Sequence, residues 1–183
     1  MQTQNQNDVK VWNLDLLHST AQFSVKHMVI AKVKGSFGSY KMKAETKGLN
    51  FENAKIELEI DVDSINTASA DRDGHLKSPE FFDVVNFPTI KFISNSCAKI
   101  NEEEYKLSGD ITIKGITKPV DFKVNYGGQI IDPYGYIRAG FALEGSINRF
   151  DFGLSWNALL EAGGAMVGKD VKLEAEIEIT TSK

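Results

Sequence analysis

The chain has 183 residues, of which 42% are hydrophobic and 25% charged, a composition typical of one soluble globular domain. A formal net charge of −4 argues against broad binding to nucleic acids or anionic membranes, which require clustered Lys and Arg. The single cysteine, Cys97, excludes an internal disulfide, so the fold must depend on its core.

The N-terminus is polar and has neither a basic start nor an apolar run, so no signal peptide or integral membrane segment is visible. We expect residues 1–10 to form a flexible tail and residues 11–183 to form a single domain. The default compartment is the cytoplasm. A leader that had been removed from the chain would instead indicate a periplasmic or secreted protein.

Apolar and polar residues alternate with a period of two along most of the chain, which predicts half-buried strands. The period slips at Gly38, which indicates a bulge. Two irregular segments interrupt the pattern, with short helices expected at 70–76, 80–84 and 158–162. The predicted strands are 11–27, of which 11–17 is extended and 21–27 alternates, then 32–47, 55–63, 90–98, 105–114, 120–126, 134–148 and 171–179.

Eight long antiparallel strands with one apolar face each predict an all-β fold, either a sandwich or a closed barrel. Eight is the number of strands at which a closed sheet can hold one small ligand. Small residues on the apolar faces favour an interior space, although they also occur at strand crossings, so a filled barrel stays open. They are Ala21, Gly35, Ser94, Ser96, Ala98, Gly109, Ala139, Gly145 and Ala175.

A hollow barrel with such a lining suits an aliphatic chain, because each buried methylene contributes about 0.8 kcal/mol. The inward parity of the strands predicts nine residues that line this pore. They are Phe23, Val25, Ile60, Phe92, Ile111, Phe122, Val124, Phe141 and Leu143. The two irregular segments carry enough apolar residues to cover the barrel ends as lids.

Five blocks of the sequence, in order, resemble the YceI-like family. Among them are Arg72-Asp73-Gly74-His75-Leu76 and Asn148-Arg149-Phe150-Asp151-Phe152-Gly153. The blocks lie at 15–37, 64–83, 109–118, 147–154 and 167–171.

The resemblance implies a bacterial, lipocalin-like, extended eight-stranded antiparallel barrel with two short helical segments near its ends. It also implies non-catalytic binding, storage or transport of a polyisoprenoid or another long-chain lipid, such as an isoprenoid quinone precursor or a fatty amide. Members are often secreted or periplasmic, and the likeness leaves a monomer and a homodimer open. We expect no cofactor and no nucleic-acid partner.

Polar residues near the predicted barrel ends complete the candidate site. No histidine pair has the spacing of a zinc site, so we predict no metal and no catalytic residue. Arg149 is interpreted as a structural clamp, with contact to a phosphate headgroup as the alternative. The predicted rim and lid residues are His27, His75, Phe81, Phe82, Arg149, Trp156 and Met166.

Two other functions compete with the carrier hypothesis. One is an enzyme for a hydrophobic substrate that uses His27 or His75 as its general base. The other is an interaction scaffold in which the barrel is filled and the lids bind a partner. A core without a ligand-sized cavity would favour the scaffold.

Overall fold

The computed structural model describes residues 8–158 and 166–182, which contain eleven strands, one α-helix and three short 3₁₀-helices. The strands are β1 Val9–Leu14, β2 Thr20–His27, β3 Ala31–Phe37, β4 Tyr40–Lys47, β5 Asn50–Asp61, β6 Ile65–Asn66, β7 Thr89–Lys99, β8 Glu104–Ile113, β9 Ile116–Ile131, β10 Ile137–Asn148 and β11 Val167–Thr181. The helix α1 is Ala70–Lys77, and the 3₁₀-helices are Leu16–His18, Val62–Ser64 and Arg149–Phe152.

These segments form a closed antiparallel barrel of eight long strands, as predicted. β1 and β2 lie end to end beside β11, and β3 and β4 lie end to end beside them. β6 continues β5 after a 3₁₀ turn and pairs with β3. The predicted slip at Gly38 is confirmed as the break between β3 and β4, where the Gly38 N–H donates to the Ser64 carbonyl at 3.2 Å. Counting β1 with β2, β3 with β4 and β5 with β6 as single strands gives eight long strands. Each of these pairs with the next along the chain, and the first pairs with the last, which closes the barrel.

β1 meets β11 over a short stretch of backbone pairing, which side-chain hydrogen bonds reinforce. We call this contact the seam. β1 and β11 share only two residue pairs, Asn13 with Thr180 and Leu14 with Ile179. Beside them, Arg138 donates to Asp15 at 2.8 Å and to Glu178 at 2.6 Å. Hydrogen bonds from His18 and Arg138 lower the pKa of Asp15 to about 2, so the carboxylate stays charged across the seam.

The first strand begins earlier than expected. Val9 and Lys10 belong to β1, opposite Lys47 and Thr46, and the Gly48 N–H donates to the Asp8 carbonyl at 2.9 Å. The predicted tail at 1–10 therefore ends too late, while residues 1–7 lie outside the described part of the chain.

Part-way along β7, the alternation between inward-facing and outward-facing side chains shifts by one residue. The sequence pattern does not indicate this shift. A bulge between Ser94 and Ser96 on β7 turns Cys97 inward, where it is buried, and leaves Ser96 and Ala98 exposed. Ser96 and Ala98 were wrongly predicted to face the interior, since the inserted residue Asn95 reverses every side chain that follows it.

The two barrel ends are closed in different ways. At the end with the β4–β5 and β9–β10 turns, which we call the aromatic end, Trp12 is fully buried and donates to the Thr46 hydroxyl at 2.8 Å. Phe51 packs there against Trp12 and Phe141, with ring centroids 5.0 and 4.8 Å apart. These rings fill the interior without any helix.

The opposite end, which we call the helical end, carries the β2–β3 turn, α1 and the 3₁₀-helix Arg149–Phe152. The rings of Phe81 and Trp156 lie 5.4 Å apart, so the two irregular segments meet over this one end. The two irregular segments, which the sequence predicted to cover the barrel ends, therefore lie together at one of them. Residues 80–84 form turns rather than a helix, and most of the predicted helix at 158–162 lies outside the described residues.

Within the described part of the chain, no helix has the length and apolar character that crossing a bilayer requires.

Candidate functional site

An elongated cavity of about 260 Å³ runs inside the barrel. Its lining extends from Phe51 and Tyr105 at the aromatic end to Phe81 and Leu154 at the helical end. One ordered water needs only ~10–15 Å³, so this space is large enough for a ligand. Among the described residues, the lining is apolar except for Gln22, Cys97, Tyr105, Arg149 and Glu174. The described residues therefore enclose an interior space and do not form a filled barrel.

All nine residues predicted from inward parity line this cavity. Four are buried in the wall: Ile60, Phe92, Ile111 and Val124. The other five are half-buried although they point inward, because part of their surface borders the empty interior: Phe23, Val25, Phe122, Phe141 and Leu143. The strands thus bring the predicted side chains together on one surface; ligand contact by these residues remains a prediction.

Glycines in the wall keep the cavity wide by giving phenylalanine rings room to lie flat. Phe23 lies directly opposite Gly35, and Phe122 lies opposite Gly145. A Cβ atom at Gly145 would stand 2.6 Å from the Phe122 ring, too close for any real contact. The ring therefore occupies the space above the glycine and does not project into the pore. This is why small inward residues accompany a cavity here.

The predicted rim and lid residues divide into two groups. Phe81, Phe82 and Arg149 line the helical end of the cavity. His75 packs behind them, with its ring 4.8 Å from Trp156 and its Nε2 2.7 Å from a Glu80 carboxylate oxygen.

His27 and Met166 also lie away from the cavity lining. His27 ends β2, and the Met166 carbonyl accepts a hydrogen bond from the Met28 N–H at 2.8 Å. The structure therefore does not place His27, His75, Trp156 or Met166 among the residues that face the interior.

Comparison with known proteins assigns the chain to a family. Residues 12–179 match the model of the YceI-like domain, which is nearly the whole described chain. The chain belongs to the YceI-like family. A relative named UPF0312 protein, from Staphylococcus aureus strain MSSA476, is 39% identical over 173 residues and covers 94% of this chain and 98% of its own.

Solved structures share the barrel of this YceI-like chain. The YceI protein of Campylobacter jejuni is 29% identical, with a TM-score of 0.71 over 86% of this chain and 90% of its own. BcnA of Burkholderia cenocepacia has a TM-score of 0.78 at 19% identity, covering 91% and 99%. A Saccharophagus degradans domain described as polyisoprenoid-binding and implicated in plant cell wall breakdown has a TM-score of 0.65 at 14% identity, covering 93% and 98%. At their lower identities, the last two support the fold alone.

Arg149 is the most deeply buried charged side chain of this YceI-like barrel, within the described residues. Its guanidinium donates to the backbone carbonyls of Leu154, Trp156, Val167 and Gly168. Burial lowers its pKa from the ordinary value. These bonds tie the segment after the 3₁₀-helix to the start of β11, which confirms the structural clamp.

Acidic and histidine side chains come together at one place that the sequence did not indicate. Asp15, His18 and Glu178 bring potential metal-ligand atoms within 4.8 Å of one another at the barrel seam. Arg138 donates to both carboxylates, so a guanidinium already balances their charge. His27 is not part of this cluster.

Sequence reasoning missed part of the cavity wall. Cys97 lines the interior, and its burial raises the pKa of the thiol to about 11. Several large apolar side chains also line the cavity, and their positions in the alternating pattern would have been enough to predict this. They are Phe37, Met42, Ile56, Leu58, Ile147, Leu173 and Ile177.

Proposed function

We propose that this protein binds and carries a long-chain amphiphilic lipid of the polyisoprenoid class in the barrel cavity. The observation that supports it is the cavity itself, which is continuous, elongated and almost entirely apolar. The Saccharophagus degradans domain, which shares this fold and is described as polyisoprenoid-binding, points in the same direction.

The shape of the cavity favours a chain over a compact ligand. Its apolar wall runs along the barrel from Phe51 at the aromatic end to Phe81 at the helical end. Each methylene or methyl group placed against this wall contributes about 0.8 kcal/mol, before the costs of ordering and association are subtracted. An apolar cavity of this kind is not stabilised by water, so a hydrocarbon is its natural occupant.

The arrangement of the titratable groups gives no support to the enzyme hypothesis. A general base must reach the reacting atoms of its substrate, yet His27 and His75 lie outside the cavity lining. His75 is instead engaged with Glu80, Phe81 and Trp156. Binding, storage or transport explains the site without a chemical step.

A charged residue in the middle of the wall tests this proposal. Leu143 faces the cavity between Val124 and Ala175, so in Leu143→Glu a carboxylate would have to lie beside the hydrocarbon of the ligand. We expect retention of a tritiated C45 prenyl alcohol by the delipidated protein, measured by gel filtration, to fall at least about tenfold.

The matched control is Ser146→Glu, which places the same charge on the exposed face of β10 opposite Lys172. It should retain the probe like the original protein. Ala175→Trp gives an uncharged second test, since it fills the cavity at a residue that lines it. Normal retention by folded Leu143→Glu and Ala175→Trp proteins would contradict lipid binding in this cavity.

A further inference from the structure

The turn between β2 and β3 exposes three consecutive apolar residues at the helical end. Met28, Val29 and Ile30 are 38%, 71% and 89% exposed. A single exposed apolar residue is ordinary on a protein surface, but three at the tip of a hairpin form a projecting apolar point. We call these three residues the hairpin tip.

The backbone of the hairpin tip is unfavourable for the residues that occupy it. Met28 and Val29 have φ angles of 50° and 67°, in the left-handed region. Such positions favour glycine or asparagine, and a β-branched residue such as valine is disfavoured there. Asn-Gly in place of Met28 and Val29 would favour both folding and solubility. Neither requirement therefore explains why the hairpin tip is apolar.

The strands below the tip carry only positive charge. No Asp or Glu occurs between Asp15 and Glu45, although the whole chain has 25 acidic and 21 basic residues. Lys26 lies directly opposite Lys32 on the exposed face, with Lys34 two residues further along β3. Like charges in direct register destabilise a strand pair.

These lysines also lack the partners that others have. Lys41, Lys43 and Lys172 each lie within 4.0 Å of a carboxylate. Among the described residues, no salt bridge of this kind is formed by Lys26, Lys32 or Lys34. An external anionic surface would neutralise them.

The hairpin tip adjoins the cavity. Val25 lines the interior and lies opposite Val33, two residue pairs below the pair that flanks the tip, His27 and Ala31. The Met28 N–H bonds the Met166 carbonyl, at the start of the β11 wall. A surface that receives the tip would therefore face the helical end of the cavity.

We propose that the hairpin tip docks this protein onto an anionic lipid bilayer. Val29 and Ile30 enter the boundary between headgroups and acyl chains, while Lys26, Lys32 and Lys34 contact lipid phosphates. The net charge of −4 belongs to the whole chain, whereas membrane attraction acts within a Debye length of about 8–10 Å, so the lysines nearest the hairpin tip contribute most to this contact. The inference deepens the proposed carrier function by naming the membrane as its partner, but docking requires no lipid in the cavity.

Cosedimentation with vesicles tests the proposal. Vesicles of phosphatidylglycerol mixed with phosphatidylcholine are compared with vesicles of phosphatidylcholine alone, at low and high salt. We expect binding to the anionic vesicles that weakens with salt. Lys26→Gln/Lys32→Gln should weaken it by roughly thirtyfold, since each lysine near such a surface contributes about fivefold. Val29→Ser/Ile30→Ser should weaken it by at least about tenfold.

Matched controls come from the aromatic end. Ile130→Ser/Ile131→Ser removes two side chains that are 66% and 60% exposed, and Lys47→Gln/Lys55→Gln removes two exposed lysines. Both should bind vesicles like the original protein. The Lys26→Gln/Lys32→Gln protein should also be at least as resistant to thermal unfolding as the original, because it relieves a like-charge pair. Lost docking without lost stability would exclude a merely structural role.

Several results would overturn the inference. These are equal binding by hairpin and aromatic-end variants, equal binding to neutral vesicles, and hairpin variants that change only the oligomeric state, which would make the tip a contact between copies of the chain. The Leu143→Glu protein separates the two proposals. It should bind vesicles like the original protein while it loses the prenyl alcohol. Docking onto the membrane is therefore tested separately from lipid binding in the cavity.

Discussion

Cys97 shows how a residue's chemistry depends on the side of the wall it faces. The thiol is buried, lines the cavity and has its pKa raised to about 11 by desolvation. A thiol reacts as its thiolate, and at neutral pH almost none of this form exists in such an environment. Cys97 is therefore a reporter of the cavity rather than a reactive group.

Its reaction with a water-soluble disulfide reagent is predictable. At pH 8 the folded protein should react at least roughly a hundredfold more slowly than the same chain unfolded in guanidinium, because two pKa units correspond to a hundredfold in thiolate. The rate is followed by absorbance. It should rise with pH up to about 11, where the thiol ionises. A rate near that of the unfolded chain would mean that Cys97 is open to solvent.

The inward position of Cys97 also marks the limit of parity arguments. The alternating pattern placed all nine pore residues correctly on the cavity wall. In a strand without a bulge, every second side chain points to the same face. It failed after Asn95, because a polar residue inserted among polar neighbours leaves no trace in the pattern. Only the pairing of β7 with β8 reveals that insertion.

At the scale of the strand, the pairing of glycine with phenylalanine on neighbouring strands decides how much space the barrel encloses. Gly35, Gly109 and Gly145 each leave room for a phenylalanine ring that would clash with a Cβ atom. The sequence suggested an interior space from these small residues, but the ring that each accommodates depends on register. Register is fixed by all the strands together and was not predictable from the glycines alone.

Two glycines of β10 allow this role to be tested within one strand. Gly145→Ala should push the Phe122 ring into the cavity, lower the free energy of unfolding by about 1–3 kcal/mol and reduce uptake of the prenyl alcohol. Gly140→Ala, where a Cβ meets nothing within 4 Å, should change stability by less than about 0.5 kcal/mol. Denaturant unfolding and probe retention are the measurements. Equal effects of the two substitutions would contradict the role given to Gly145.

Connecting segments were less predictable than strands. Gly38 indicated the break between β3 and β4 in the sequence, because the conformational freedom of glycine allows a strand to be interrupted there. The meeting of α1 with the segment after Arg149–Phe152 had no such signal, since it depends on Phe81 reaching Trp156 across the barrel. The clamp role of Arg149 was anticipated, but its four carbonyl partners were not.

For the whole molecule, the two ends are unlike in structure. The aromatic end is filled by Trp12, Phe51 and their neighbours, whereas the helical end combines irregular connections, the apolar hairpin tip and a strand pair with unpaired lysines among the described residues. Strand number was predictable from eight alternating segments, which left a sandwich and a closed barrel open, and the family resemblance implied the barrel. The connections that lie at each end were not predictable, because they depend on how the folded chain pairs its strands.

The central claim is that the cavity holds a long-chain lipid. The most direct measurement is mass spectrometry of an organic extract from protein that has been gently purified after native expression, with the lipid quantified against the protein. We predict a long-chain, prenyl-type lipid in a near-stoichiometric amount, and its loss from the Leu143→Glu protein but not from Ser146→Glu. Equal lipid content in the original and Leu143→Glu proteins, both folded, would show that the lipid binds elsewhere and would contradict the claim.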